Sequence, residues 1–172
     1  MVDGRLDDAG WRGAPWTAEF VDIEGDVRPR PSLRTRAKML WDDAFFYVGA
    51  ELVEPHLWAT LTRHDAVIFQ DHDFEVFIDP NGDSHEYYEF EINALGSGWD
   101  LLLPRPYKDG GRAVHDWEIP GLQGVAAPAD PALARPTVEV TSALFQASVE
   151  LRRPDGAPQR WNIRQDALVW PD

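Results

Sequence analysis

The chain has 172 residues, enough for one domain with a real core and short for two. Hydrophobic residues make up 44% and aromatic residues 12%, which describes a folded globule rather than a disordered chain. A formal net charge of −14 argues against nucleic acid or an anionic membrane as partner, and the absence of cysteine rules out disulfides and thiolate metal sites.

Residues 2–20 (VDGRLDDAGWRGAPWTAEF) are turn-rich and acidic, with no apolar core of a signal peptide. No run of about 18 apolar residues follows, so the chain is expected to be soluble. Leu6, Trp11, Trp16 and Phe20 are spaced as anchors that lay apolar side chains on a core. Gly25, Pro29 and Pro31 mark a loop in which no helix persists. From Leu33 to Trp41 the chain alternates, with Leu33, Thr35, Ala37, Met39 and Trp41 on one side and Arg34, Arg36, Lys38 and Leu40 on the other. Asp42-Asp43 turns it, and residues 44–51 read as a partner strand rich in Phe45, Phe46, Tyr47 and Val48.

Residues 56–70 (HLWATLTRHDAVIFQ) are expected to form a long loop or a helical turn. The most regular stretch follows. Phe74, Val76 and Ile78 alternate with Glu75, Phe77 and Asp79, and after Pro80-Asn81-Gly82-Asp83 the period resumes with Tyr88, Phe90, Ile92 and Ala94 against Glu89, Glu91 and Asn93. Two such runs about an Asn-Gly pair predict a hairpin with one apolar, buried face. Its other face carries Glu75, Phe77, Glu89, Glu91 and Asn93. By alternation alone, that face is either solvated surface, cross-paired with Arg34, Arg36 and Lys38, or the floor of a polar binding site.

Gly96-Ser97-Gly98 turns into a strand at 99–103 (WDLLL). Residues 104–136 are rich in proline and glycine without sustained periodicity, and read as an excursion over the surface. Strand character returns over 136–151, then at 160–164 (RWNIR) and 168–170 (LVW). Some nine short strands with no long helix predict an all-β fold, an antiparallel, jelly-roll-like β-sandwich.

Three stretches, VDGRLDDAGW, KMLWDDAFFYVGAELVEP and DHDFEVFIDPNGDSHEYYEFEIN, together resemble the family 9 carbohydrate-binding modules and the related DOMON-like sandwiches. Their order matches an opening (I/V)DG-x-(L/I)D-x-x-W segment, a W-D-(D/E)-x-x-(L/F)-Y-V hairpin and a D-x-(F/V)-E-(V/I)-F-I-D strand. The resemblance covers residues 2–103 well and 160–170 loosely. It implies a single carbohydrate-binding-module-like domain over residues 1–172. Such a module binds an oligo- or polysaccharide, often at a chain end, and supports polysaccharide degradation, often attached to a glycoside hydrolase. It also implies a secreted or periplasmic setting, although no signal peptide stands in this chain.

The family's sugar site carries over one position at a time. The first clamp tryptophan falls on Phe69 and the strand glutamate on Glu75. The arginine of the R-x-N pair falls on Glu91 and its asparagine on Asn93. A late-strand amide falls on Arg164, and the second clamp tryptophan on Trp170. Glu91 and Arg164 depart from the family in residue type. The segment 104–159 also lacks the family's G-W-x-V-E-x-A-x-P-W run. Aromatic faces suit the C–H side of a pyranose, and carboxylates and amides suit its hydroxyls.

Two alternatives stand beside sugar binding. One is a haem-binding, electron-transfer sandwich, for which Met39 is the only internal methionine and lies on a predicted core face. The other is a glycoside hydrolase using Glu75, Glu89 and Glu91, since that chemistry needs two carboxyls at a set separation. His56, His64, His72, His85 and His115 show no HExxH spacing. Asp79 and Asp83 begin a calcium-type loop without its distal glutamate, so a plain turn is the first reading there. Structural calcium is what the resemblance would add. The expectation is a binding module rather than an enzyme, with no catalytic residues.

Overall fold

The structure is a computed structural model, and it describes residues 2–128 together with the strand at 143–150. Seven strands are present among these residues: β1 (Thr35–Trp41), β2 (Phe45–Leu52), β3 (Asp73–Ile78), β4 (Tyr87–Asn93), β5 (Gly98–Leu103), β6 (Gln123–Pro128) and β7 (Ala143–Glu150). A five-residue helix, α1 (Ala9–Gly13), and 3₁₀ turns at Gly25–Val27, Ile68–Gln70 and Tyr107–Asp109 complete them. The strands form an antiparallel four-stranded sheet of order β1-β2-β7-β6 and an antiparallel three-stranded sheet of order β3-β4-β5. This is the expected all-β sandwich.

The alternation read from the sequence sets the core. Phe74, Phe90 and Ile92 of the three-stranded sheet meet Ala37, Phe46, Val48 and Ala50 of the four-stranded sheet, with Ile119 closing the cluster. Met39 packs against that cluster, on the side expected for it. Trp11 is 3% exposed, and Phe20 lies 6.3 Å from the Phe74 ring, so the lead-in segment does lay rings on the core. It also covers an edge. Thr17 and Phe20 donate their N–H groups to the carbonyls of Ala37 and Thr35, which protects β1 from pairing with another chain.

The excursion over 104–136 is more structured than expected. β6 lies within it, because Gly124 is small enough for a strand to run close to the core. A Cβ on Gly124 would stand 2.9 Å from Cζ of Phe90. Backbone pairing of Val114 with Leu102 ties another part of the excursion to β5. The strands expected at 160–164 and 168–170, and with them Arg164 and Trp170, lie outside the described residues.

Both faces of the three-stranded sheet are covered. On the face away from the main core, Ala66, Ile68, Tyr87, Trp99, Leu101 and Leu103 form a second apolar cluster, joined by Leu61, Phe77 and Ala113. Leu61, Ala66 and Ile68 from segment 56–70 and Ala113 from segment 104–115 lie over this outer face. Gly111 fixes the second of these segments. Its N–H bonds to the Pro106 carbonyl, and an added Cβ would fall 1.9 Å from the Arg105 carbonyl oxygen. Since that contact is backbone, the loop must move to relieve it. Gly111→Ala is expected to destabilise the fold by about 1–3 kcal/mol, as overpacking commonly does. Urea unfolding reads this, and a midpoint equal to the parent's would refute it.

Candidate functional site

The outer face carries the polar residues singled out from the sequence. The register places Asp73 opposite Asn93, Glu75 opposite Glu91 and Phe77 opposite Glu89. On the far side of β4, Glu91 faces Trp99 and Glu89 faces Leu101. Glu89, Glu91 and Asn93 are 4%, 1% and 0% exposed, so this is not solvated surface. The cations weighed as cross-strand partners are engaged elsewhere. Arg34 and Arg36 hold Glu51, while Lys38 donates to the Trp11 carbonyl at 2.7 Å and lies over the Trp16 ring. The acidic face has no cation of that set against it.

Burial of this acidity has an electrostatic consequence. Carboxylates lose hydration, and like charges stand close together, so protons are retained. Burial, then the charges of Glu75, Glu89 and Asp73, pushes Glu91 up to about 8. Burial also pushes Glu89 up to about 7, against a hydrogen bond from the Tyr107 hydroxyl at 2.9 Å. Asp73 rises to about 6 through burial and the Glu75 charge. At neutral pH the face therefore shares protons, and Glu91 is an acid that can donate as well as accept.

Each site residue then has a distinct place. Glu91 accepts the backbone N–H of Phe69 at 2.9 Å, which fixes the 3₁₀ turn Ile68–Gln70 on the face. That turn presents the Phe69 ring outward, 58% exposed and 6.2 Å from the Trp99 ring. Trp99 in turn stacks on His115 at 5.3 Å. Glu75 is exposed beside Glu91. Asn93 does not reach the open surface. Its amide donates to the Leu61 carbonyl and to Asp71, and its oxygen accepts the N–H groups of Leu95 and Ser97. All four bonding positions of the amide are used, so Asn93 holds the site's walls in place.

Sequence reasoning missed Asp73, Trp99, Tyr107 and His115 as members of this face. Asp73 and Trp99 were accessible to the alternation rule, as neighbours in register of Asn93 and Glu91. Tyr107 and His115 arrive on an aperiodic loop and carry no such signal.

Asp73, Glu75 and Glu91 bring carboxylate oxygens within 4.8 Å of one another and could hold a cation. The Asp79–Asp83 loop is built as a turn. Asp79 accepts the N–H groups of Gly82 and Ser84, and Asp83 accepts that of His85 and the Asn81 amide.

Residues 2–100 match the family described as carbohydrate family 9 binding domain-like. The chain belongs to this family, and its class is a carbohydrate-binding β-sandwich. Exoglucanase XynX of Acetivibrio thermocellus is 28% identical over 100 residues, which are 58% of this chain and 8% of that protein. A family 9 carbohydrate-binding module of Caldicellulosiruptor kristjanssonii has a similar fold. Its complex with cellotriose superposes with a TM-score of 0.54 at 17% identity, covering 89% of this chain and 64% of that one. Its glucose complex gives 0.57 at 16% identity, covering 89% and 65%. A carbohydrate-binding protein of Bacteroides uniformis, described as putative, gives 0.55 at 15%, covering 81% and 60%. The chain thus spans less than two thirds of each of these proteins.

Proposed function

We propose that the domain binds a gluco-configured saccharide on the outer face of the three-stranded sheet, at the rim formed by Phe69 and Glu75 above the buried Glu91. The carrying observation is the Phe69 ring, largely exposed yet held in place through its own backbone by a buried glutamate. An exposed ring on a fixed turn is a stacking platform that loses little conformational freedom on binding. Glu75, exposed on the face, accepts from sugar hydroxyls, and Glu91, buried beneath it, holds the turn that carries the Phe69 ring. The glucose and cellotriose complexes of the similar structures support a β-glucan ligand. The match to a short part of an exoglucanase supports a role beside a glycoside hydrolase in polysaccharide breakdown. Trp170 as an opposing ring, Arg164 as a further polar contact and recognition of a chain end complete the reading; these rest on the family resemblance.

Titration calorimetry with glucose, cellobiose and cellotriose tests it. Phe69→Ala is expected to weaken binding roughly tenfold, the loss of one aromatic contact of about 1.4 kcal/mol. Its melting temperature should stay close to the parent's, because the ring covers little of the core. Phe69→Trp should bind more tightly. Unchanged affinity in Phe69→Ala would move the site elsewhere.

A further inference from the structure

A second cluster lies on the opposite side of β5. Asp100 alternates with Trp99 along the strand, so its side chain points away from the saccharide rim. It is fully buried, and one oxygen, Oδ2, accepts the N–H of Ile119. The other, Oδ1, makes no hydrogen bond, and neither does the buried Oδ1 of Asp65. Both approach the same atom. Nε2 of His64 stands 3.5 Å from Asp100 Oδ1, 3.3 Å from Asp65 Oδ1 and 3.1 Å from a carboxylate oxygen of Glu118.

We propose that His64, Asp65, Asp100 and Glu118 form a binding site for a divalent cation of the zinc class, which fastens two loops to β5. One nitrogen carries at most one proton, and one N–H cannot satisfy three carboxylates. A cation at the centre satisfies them together, including the two buried oxygens that otherwise lack a donor. The spacing agrees. Ligand atoms at zinc's usual bond lengths of about 2.0–2.1 Å stand about 3.3 Å apart when arranged tetrahedrally. His64 Nε2 stands at about that separation from each of the three carboxylates, and the His64, Asp65 and Asp100 ligand atoms, the compact part of the set, all lie within 4.8 Å of one another, with Glu118 approaching from the His64 side. A ring nitrogen among carboxylates favours zinc over calcium, which takes oxygen ligands.

The supports are those of a built site. Asp65 donates its backbone N–H to the Gly98 carbonyl, which fixes the His64 loop beside β5. Glu118 stands between Trp117, stacked on Tyr88 at 4.7 Å, and Ile119, which is buried in the core. The Ile119 N–H orients Asp100 from behind, as partners of metal-bound carboxylates do. His64 is half exposed, so an ion can enter from solvent.

Calorimetry of the full chain, freed of metal by chelation, tests the proposal with zinc chloride and, separately, calcium chloride. One equivalent of zinc should bind, calcium should bind far more weakly, and zinc should raise the melting temperature. His64→Ala should lower zinc affinity by more than the roughly 10–100-fold that losing an outer partner costs. Glu118→Gln, a change at an exposed side chain, should lower it about tenfold while the fold stays intact. Glu75→Gln, on the other face, should leave it unchanged. The proposal fails if zinc does not bind. It also fails if zinc binds His64→Ala and Glu118→Gln as it binds the parent, or if Glu75→Gln abolishes binding.

Discussion

Asn93→Ala should be among the most destabilising single substitutions in the domain, costing about 3–5 kcal/mol. The side chain is fully buried, and it joins three pieces of chain. On one side it bonds the Leu61 carbonyl and Asp71; on the other it bonds the Leu95 and Ser97 N–H groups. Alanine removes all four bonds and supplies no substitute. Asp71 keeps the N–H groups of Thr60 and Leu61, so its loss is partial. Leu95 and Ser97 lose the acceptor their donors share. A buried group left unpaired costs about 1–3 kcal/mol, and two or three such groups give the stated range. Against a total stability of about 5–15 kcal/mol, this is large. Urea unfolding measures it, and a loss under about 1 kcal/mol would show that water or a shift of the backbone replaces the amide. Asn93→Asp should do no better, since it sets a second carboxylate against Asp71.

That role could not be read from the residue alone. Alternation put Asn93 on the same face as Glu75 and Glu91, and the register confirms that they share it. What alternation lacks is any knowledge of what lies above a face. The segments 56–70 and 104–115 cover this one, and neither has a period, because their places are set by single contacts. Asp71 receives Thr60, Glu91 receives Phe69, and Glu89 receives Tyr107. The apolar face of the same hairpin was legible, since its partner is another sheet with the same period. β6 was obscured for a related reason. Close packing on Phe90 demands the glycine at 124, and a run of glycine and alanine reads as loop when its neighbours in space are unknown.

The same burial makes stability depend on pH in an uncommon direction. Carboxylates that gain donors on folding are held below their ordinary range and stabilise a protein as pH rises. Glu91, Glu89 and Asp73 do the reverse, with folded values of about 8, 7 and 6 set against ordinary values of 4.5, 4.5 and 3.8. Between the ordinary and the folded value the native state binds more protons than the unfolded chain, so stability falls with each step in pH. Their contribution is fully present below about pH 4 and is lost as pH rises through 6, 7 and 8. Each pH unit over which one group stays protonated only when folded is worth about 1.4 kcal/mol. The three share protons, so their effects are less than additive. A few kcal/mol should separate pH 5 from pH 8. Asp71 and Glu51, whose hydrogen bonds outweigh burial and hold them low, work in the opposite sense, but only below the ordinary carboxylate range. His64 is raised and titrates in the same sense as the acids, so the decisive measurement is a difference between proteins rather than one slope. Glu91→Gln supplies it. Glutamine keeps an oxygen to accept the Phe69 N–H and cannot ionise, so the Phe69 platform stays in place. The variant should match the parent near pH 5 and exceed it by about 1–3 kcal/mol at pH 8. Urea unfolding at the two pH values decides the matter. A parent more stable at pH 8 than at pH 5, or a variant weaker than the parent at both, would mean that Glu91 ionises freely in the fold and that its carboxylate is held by a cation.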